Sequence, residues 1–259
     1  MNKTAELEEK IDLLLWTGQL LLQSGADSNR IDRNIRRVAA FMGLSPEKLH
    51  LHITFTTLMI TIGDNVNSFT KFRKCKKHGV NMTVVSAISR LSWKAIKDDY
   101  SLEQYREELD RINHIPHHYP RWFLLLSVGM ACGAFCLLFG GDWISMANTV
   151  VATMVALFVR QELHKKGLNG YFIITVSAFV ATSVGSVSTL MHVSDSSQYA
   201  ILASVLFLIP GVPLINSLDD MLDGFTIVGL TRAIVGLLMV MSISLGMIAA
   251  LSLLNIETL

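Results

Sequence analysis

From residue 122 onward the chain is a succession of apolar runs long enough to cross a lipid bilayer, and this decides most of what it can fold into. A helix needs about 20 consecutive, mostly apolar residues to span the hydrocarbon core. Five stretches qualify: 122–139, 143–159, 171–191, one that begins near Tyr199, and 225–254. Charge follows the same division. Residues 1–121 carry 18 of the 22 Lys/Arg and 14 of the 21 Asp/Glu in the 259-residue chain. The sequence therefore predicts an α-helical integral membrane protein with an N-terminal α+β domain in water. The aqueous domain is 1–121 and the transmembrane helical domain is 122–259.

Lys/Arg placement sets the expected orientation. The loop between the second and third runs holds Arg160, Lys165 and Lys166, and the N-terminal half is basic up to Arg121. The turns at "GGD" and "HVSDSSQ" hold no Lys or Arg. Positive residues stay on the cytoplasmic side. This places the N-terminal domain in the cytoplasm and, for five spans, the C-terminus outside the inner membrane. No basic n-region precedes an apolar stretch as in a signal peptide. Cys75, Cys132 and Cys136 give no disulfide framework.

The fourth run is interrupted. "IPGVPLINSLDDMLDGF" places two prolines and three aspartates between apolar segments. Pro210 has no N–H, Gly211 lets the backbone unwind, and Pro213 suits the first position of a new helix. The expectation is a broken helix, with the break at 210–212 and a second half from Pro213 to about Asp223. Irregular backbone at membrane depth has to line a cavity or be buried in protein. A half-helix N-terminus there would hold a carboxylate, with Pro210, Gly211, Val212, Pro213 and Asn216 forming the site. Asn148, in the second run, and Thr182 and Ser186, in the hydroxyl-rich third, are the candidate pathway wall. Small and hydroxyl residues also simply pack membrane helices together, which is the commoner role. Asp219, Asp220 and Asp223 lie at helical spacing, and Arg232 is the only charge in the last run. These four are the candidates for proton coupling or gating; solvated aspartates and an Arg snorkelling to the interface are the plain alternative.

In the first half, Leu7, Ile11, Leu14 and Leu21, then Ile31, Ile35, Val38 and Met42, recur at helical spacing. "LHLHITF", "LMITIG" and "NSFTKFRK" read as strands. Two further helices follow, the second opened by a Ser101/Gln104 capping box. "RNIRR" reads as the solvated face of the second helix, and "KFRKCKK" as a solvated basic surface, with contact to anionic lipid headgroups as the alternative. His50 and His52 share one strand face, where an open sheet surface explains them better than a metal. No Walker A, GxSxG, CxxC or HExxH motif is present, so neither a cofactor nor an enzyme is expected.

Three stretches together, "LLLQSGADSNRIDRNIRRVAAFMGL", "KKHGVNMTVVSAISRLSWKAI" and "FLIPGVPLINSLDDMLDG", resemble the threonine/serine exporter (ThrE-like) family, in its YjjP-type half. The resemblance implies an exporter of threonine, serine or a dicarboxylate such as succinate, and the clustered aspartates add the expectation of proton coupling. It also implies a separate YjjB-like membrane subunit, since longer members carry a second hydrophobic half. Pro210, Gly211, Pro213, Asn216 and Asp220 match its most specific motif. Expected partners are a small-molecule substrate, membrane lipid, the second subunit and, because five spans make a thin wall, further copies of the chain; nucleic acid is not among them. The rival readings are a membrane-anchored enzyme and a sensory or structural protein whose N-terminal domain binds a ligand.

Overall fold

A computed structural model describes residues 3–63, 68–75, 79–115, 119–192, 194 and 196–256. In chain order the elements are α1 (Lys3–Gln23), α2 (Ser28–Phe41), β1 (Leu49–Ile53), β2 (Thr57–Gly63), β3 (Ser68–Lys74), α3 (Met82–Lys97) and α4 (Leu102–Asn113). Then come α5 (Arg121–Leu138), α6 (Trp143–Lys165), α7 (Gly170–Gly185), α8 (Val187–Leu190), α9 (Ser197–Ser204), α10 (Gly211–Leu222) and α11 (Thr226–Leu253). Lys76 and Lys77 of the basic "KFRKCKK" stretch, and His117 and His118 just before the first apolar run, where interfacial histidines are expected rather than a metal or pH sensor, lie outside the described residues.

The chain divides into two compact bodies. One is Met1–Pro116 with Gly211–Ile234, and the other is His117–Pro210 with Val235–Leu259. Segment 211–234, which hydropathy alone groups with the apolar half, thus belongs to the N-terminal body. The polar groups of that segment are the cause, and they are described below.

In the N-terminal body, β1, β2 and β3 form an antiparallel sheet in that order. The register pairs Leu49 with Ile62, Leu51 with Ile60 and Ile53 with Leu58, so one face is apolar. That face joins Ile11, Leu14, Leu21, Ile31, Ile35 and Ile88 in one core. Each fully buried aliphatic side chain of this kind contributes roughly 1.5–3 kcal/mol. A Cβ on Gly18 would sit 2.4 Å from Leu58 and 2.7 Å from Ile35, so only glycine lets α1 approach both. The opposite sheet face is open and carries His50, His52 and the Thr61–Thr70 hydroxyl pair at 2.9 Å. Among the described residues no group of three or more His, Cys, Asp or Glu could hold a metal. α4 opens with the Ser101/Gln104 capping box that its sequence predicts.

In the other body, α5, α6 and the α7–α8 stretch are each long and apolar enough to cross a membrane, as is α11 along its whole length. The chain is a multi-pass membrane protein. Gly129 and Gly133 bring α5 against α6, where an added Cβ would meet Met154 at 2.8 Å and Val150 at 2.7 Å. Gly246 of α11 does the same against Thr175 O at 2.3 Å, measured from the position its Cβ would occupy. Outward-facing Trp122, Leu138 and Trp143 are about three-quarters exposed, as lipid-facing residues are. The third apolar run is not one smooth helix. It is interrupted at Ser186, between α7 and α8.

The fourth run breaks where expected, with one correction of detail. Ile209 is extended (φ −62°, ψ 126°), as a residue before proline tends to be, and α10 starts at Gly211. Pro213 is therefore the third helical residue, not the first, and Val212 lies inside the helix. A helix's first turn has no internal use for its N–H groups, so proline is tolerated there.

Candidate functional site

The site is built around the turn between α1 and α2. α1 ends at Gln23, and Gly25 takes a left-handed conformation (φ +82°) that its missing side chain permits. Asp27 then caps α2, accepting the Arg30 N–H at 2.6 Å. The turn leaves the Gly25 and Ala26 carbonyls and the Ser28 N–H without partners in the helices they border. Three polar side chains from α10 and α11 meet them.

Asn216 donates from Nδ2 to the Gly25 carbonyl at 2.8 Å. Arg232 donates from Nη2 to the Ala26 carbonyl at 2.9 Å. The Ser28 N–H donates to Asp220 Oδ1 at 2.7 Å. Arg232 Nε lies 3.2 Å from Asp220 Oδ2 and completes an ion pair whose side chains are 6% and 0% exposed. At the rim, Asn29 Nδ2 donates to Asp223 Oδ2 at 2.7 Å. Asp27 and Asp220 thus both accept from the first-turn N–H groups of α2, where the helix dipole favours negative charge.

α10 and α11 are themselves held close. Gly224 (φ +88°) turns the chain between them, and the Phe225 N–H donates to the Asp220 carbonyl at 2.7 Å. A Cβ on Gly229 would fall 2.6 Å from the Ser217 carbonyl. This approach sets Arg232 against Asp220. The result is a buried ionic latch. Asp220 Oδ2 has Arg232 beside it but accepts no hydrogen bond among the described residues. A buried pair of this kind is costly to make and costlier to break, because removing either charge strands the other.

Of the sequence-predicted residues, Asn216, Asp220, Asp223 and Arg232 are brought together, and Asp219 is exposed outside the cluster. Gly211 has no atom within 4 Å of where a Cβ would be, and Val212 and Pro213 are half-buried. Pro210, Asn148, Thr182 and Ser186 belong to the other body. There, Asn148 of α6 donates to the Gly185 carbonyl at 2.7 Å and to Ser188 Oγ at 3.0 Å, fastening α6 to the interruption between α7 and α8. Ser186 Oγ donates back to the Thr182 carbonyl at 2.7 Å. Thr149, Thr175, Ser177 and Ser183 likewise donate to the carbonyl four residues earlier, which occupies their hydroxyl protons within their own helices. The Thr182 hydroxyl is the exception in this group, buried with no hydrogen-bond partner among the described residues.

The role of the Gly25–Asn29 turn is not legible in the sequence. "SGADSN" reads as an ordinary helix end and cap, which it is; nothing local says that its spare carbonyls and N–H are met from residues 216–232.

Comparison with known proteins bears on the whole chain. Residues 12–254 match the ThrE family, described as "Putative threonine/serine exporter". The chain is 32% identical over 234 residues to the "Probable succinate transporter subunit YjjP" of Klebsiella aerogenes, spanning 90% of this chain and 89% of that one. It is 31% identical over 242 residues to the protein of the same name in Escherichia coli K12, spanning 93% of each. Against the "Threonine/serine exporter" of Corynebacterium glutamicum it is 27% identical over 225 residues, 83% of this chain but 45% of that protein. No solved structure matches the chain.

Proposed function

Because the chain belongs to the threonine/serine exporter family, a family of transporters rather than enzymes, we propose that it is one subunit of a split secondary exporter for small carboxylate-bearing metabolites. The dicarboxylate succinate and the amino acids threonine and serine are the substrates to test first, because relatives carry those names. The second subunit would be a separate YjjB-like membrane protein. The match to two relatives of similar length called transporter subunits, and to only 45% of a longer exporter, supports this. The host membrane is the inner membrane, with the N-terminal body on the cytoplasmic side, as the Lys/Arg distribution predicts.

The observation that carries the mechanism is the buried Asp220–Arg232 pair, which closely follows the helix break at Ile209–Pro210. A buried ionisable pair is a candidate functional site. Protonation of Asp220 would cancel the charge that holds Arg232 and free the guanidinium for a substrate carboxylate; deprotonation would restore the latch. The α10 N-terminus, Asn216 and the hydroxyl cluster around Thr182 and Ser186 are the remaining candidates for substrate contact.

The test is uptake of labelled succinate, serine and threonine into inverted vesicles under an imposed proton gradient. The chain is assayed alone, with a YjjB-like partner, and as Asp220→Asn with that partner. Gradient-driven uptake that needs both chains and is lost in the variant is the expected result. Equal uptake with the variant would remove Asp220 from the mechanism. No uptake of any substrate by correctly inserted pairs would reject the substrate class.

A further inference from the structure

Beyond the latch, α2 and α3 enclose a second polar site. Arg30, Arg33 and Arg37 fall at positions i, i+3 and i+7 of α2, which puts all three guanidinium groups on one face. With Asn34, and with Ser86 and Ser89 of α3, they line a cavity of about 370 Å³ that has no carboxylate in its wall. Among the described residues only Arg30 of the three has an ion-pair partner, Asp27 at 3.2 Å. Arg37 is positioned rather than neutralised: it donates to Ser92 Oγ at 2.8 Å and stacks over the Trp93 ring at 3.8 Å. Burial and the neighbouring Arg33 charge push Arg37 below the ordinary guanidinium range. Asn34 holds the floor, donating to the Arg30 carbonyl at 2.8 Å and accepting from Ser92 at 3.0 Å. A plain solvated helix face does not need this support.

We infer that this cleft is a binding site for a small organic or inorganic anion carrying two or more negative charges, separate from the Asp220–Arg232 latch. Three converging guanidinium groups and two hydroxyls supply charge-assisted hydrogen bonds of the kind that phosphate and carboxylate groups accept in pairs. The volume falls within the ordinary range for small-molecule sites, larger than a flat patch for a single ion. The like charges of Arg33 and Arg37, neither paired with a carboxylate among the described residues, repel, and a bound dianion relieves that repulsion. Occupancy would tie α2 to α3, and α2 is the helix whose first turn receives Asp220.

Calorimetric titration of the full chain in neutral detergent, with pyrophosphate, ATP and succinate as separate probes, tests the inference. Saturable binding of at least one probe is expected. Its affinity falls by about tenfold or more in Arg33→Gln, as loss of one charge-assisted contact predicts, and similarly in Ser86→Glu, while Asp220→Asn keeps it. Both substituted positions are exposed, and a thermal melt confirms that each variant is folded; if Arg33→Gln is not, Ser86→Glu decides. No saturable binding by any probe, or affinity unchanged in the folded variants, overturns the site. Probe binding abolished by Asp220→Asn with the melt preserved assigns it to the latch instead. Binding only of phosphatidylglycerol nanodiscs, with no response to soluble anions, overturns the small-molecule occupant. None of these outcomes depends on whether the chain transports anything.

Discussion

Asp220 and Arg232 form a buried ion pair at 3.2 Å, and each also holds the α1–α2 turn, Asp220 through the Ser28 N–H and Arg232 through the Ala26 carbonyl. The pair therefore works as one part of a fold and as a candidate switch.

Removing one charge should be worse than removing both. Asp220→Asn or Arg232→Gln is expected to cost about 3–5 kcal/mol, because a buried charge loses its partner. The double variant should recover part of that loss. Denaturation midpoints of all four proteins in detergent measure the coupling. If the three losses simply add, the pair is not what holds the segment.

Asn216→Ala should be milder. It leaves the Gly25 carbonyl without its donor, at a cost of about 1 kcal/mol. A transport defect larger than that stability loss explains would mark Asn216 as a substrate contact. Parallel losses of stability and transport would mark it as a strut.

Two glycines should respond in opposite ways. A Cβ on Gly246 would meet Thr175 O at 2.3 Å and Ala178 Cβ at 2.8 Å, so Gly246→Ala should cost about 1–3 kcal/mol by overpacking. Gly211 starts α10 with open space around it, so Gly211→Ala should leave the thermal midpoint within error or raise it slightly. Transport lost in Gly211→Ala without a change in stability would mean that substrate approaches this backbone.

Cys75 is 2% exposed, and burial pushes its thiol up to about 11 from an ordinary 9.0. The folded protein holds this proton over a range where the unfolded chain has lost it. This contribution to stability is intact below about pH 9 and disappears as pH rises toward 11. In a Cys132→Ala/Cys136→Ala background, maleimide labelling of Cys75 at pH 7 to 8 should be negligible until denaturant is added. Rapid labelling of the folded protein would show that the strand end opens.

Elements set by local periodicity were legible in the sequence. The alternation of "LHLHITF" and "LMITIG" gives β1 and β2, and Ser101 with Gln104 caps α4. The break before α10 was legible as well, because Pro210 acts on its immediate neighbour. Its edge was misplaced by two residues, since proline fits throughout a helix's first turn and Pro213 did not have to come first. The latch was only half legible. Arg232 stood out as a lone charge in an apolar run, but its partners on the 25–28 turn are 206 residues away for Ala26, and Ser28 is 192 from Asp220. No window on hydrophobic period reaches that far. The arginine cleft was hidden for another reason: "RNIRR" has the composition of a solvated face, and only the placement of α3 turns it into a cavity wall.

The separation between Ser28 and Asp220 also has a meaning in time. Ribosomes deliver the chain from its N-terminus at about 5–20 residues per second, so the residue that caps Ser28 emerges roughly 10–40 s after it. Throughout that interval water, rather than Asn216, Asp220 and Arg232, serves the carbonyls and N–H of the α1–α2 turn. The N-terminal body is finished only after the apolar segments 122–208 have been synthesised. The turn therefore meets Asn216, Asp220 and Arg232 only once the intervening segments have been synthesised, and a chain truncated before residue 216 would lack all three side chains that hold it.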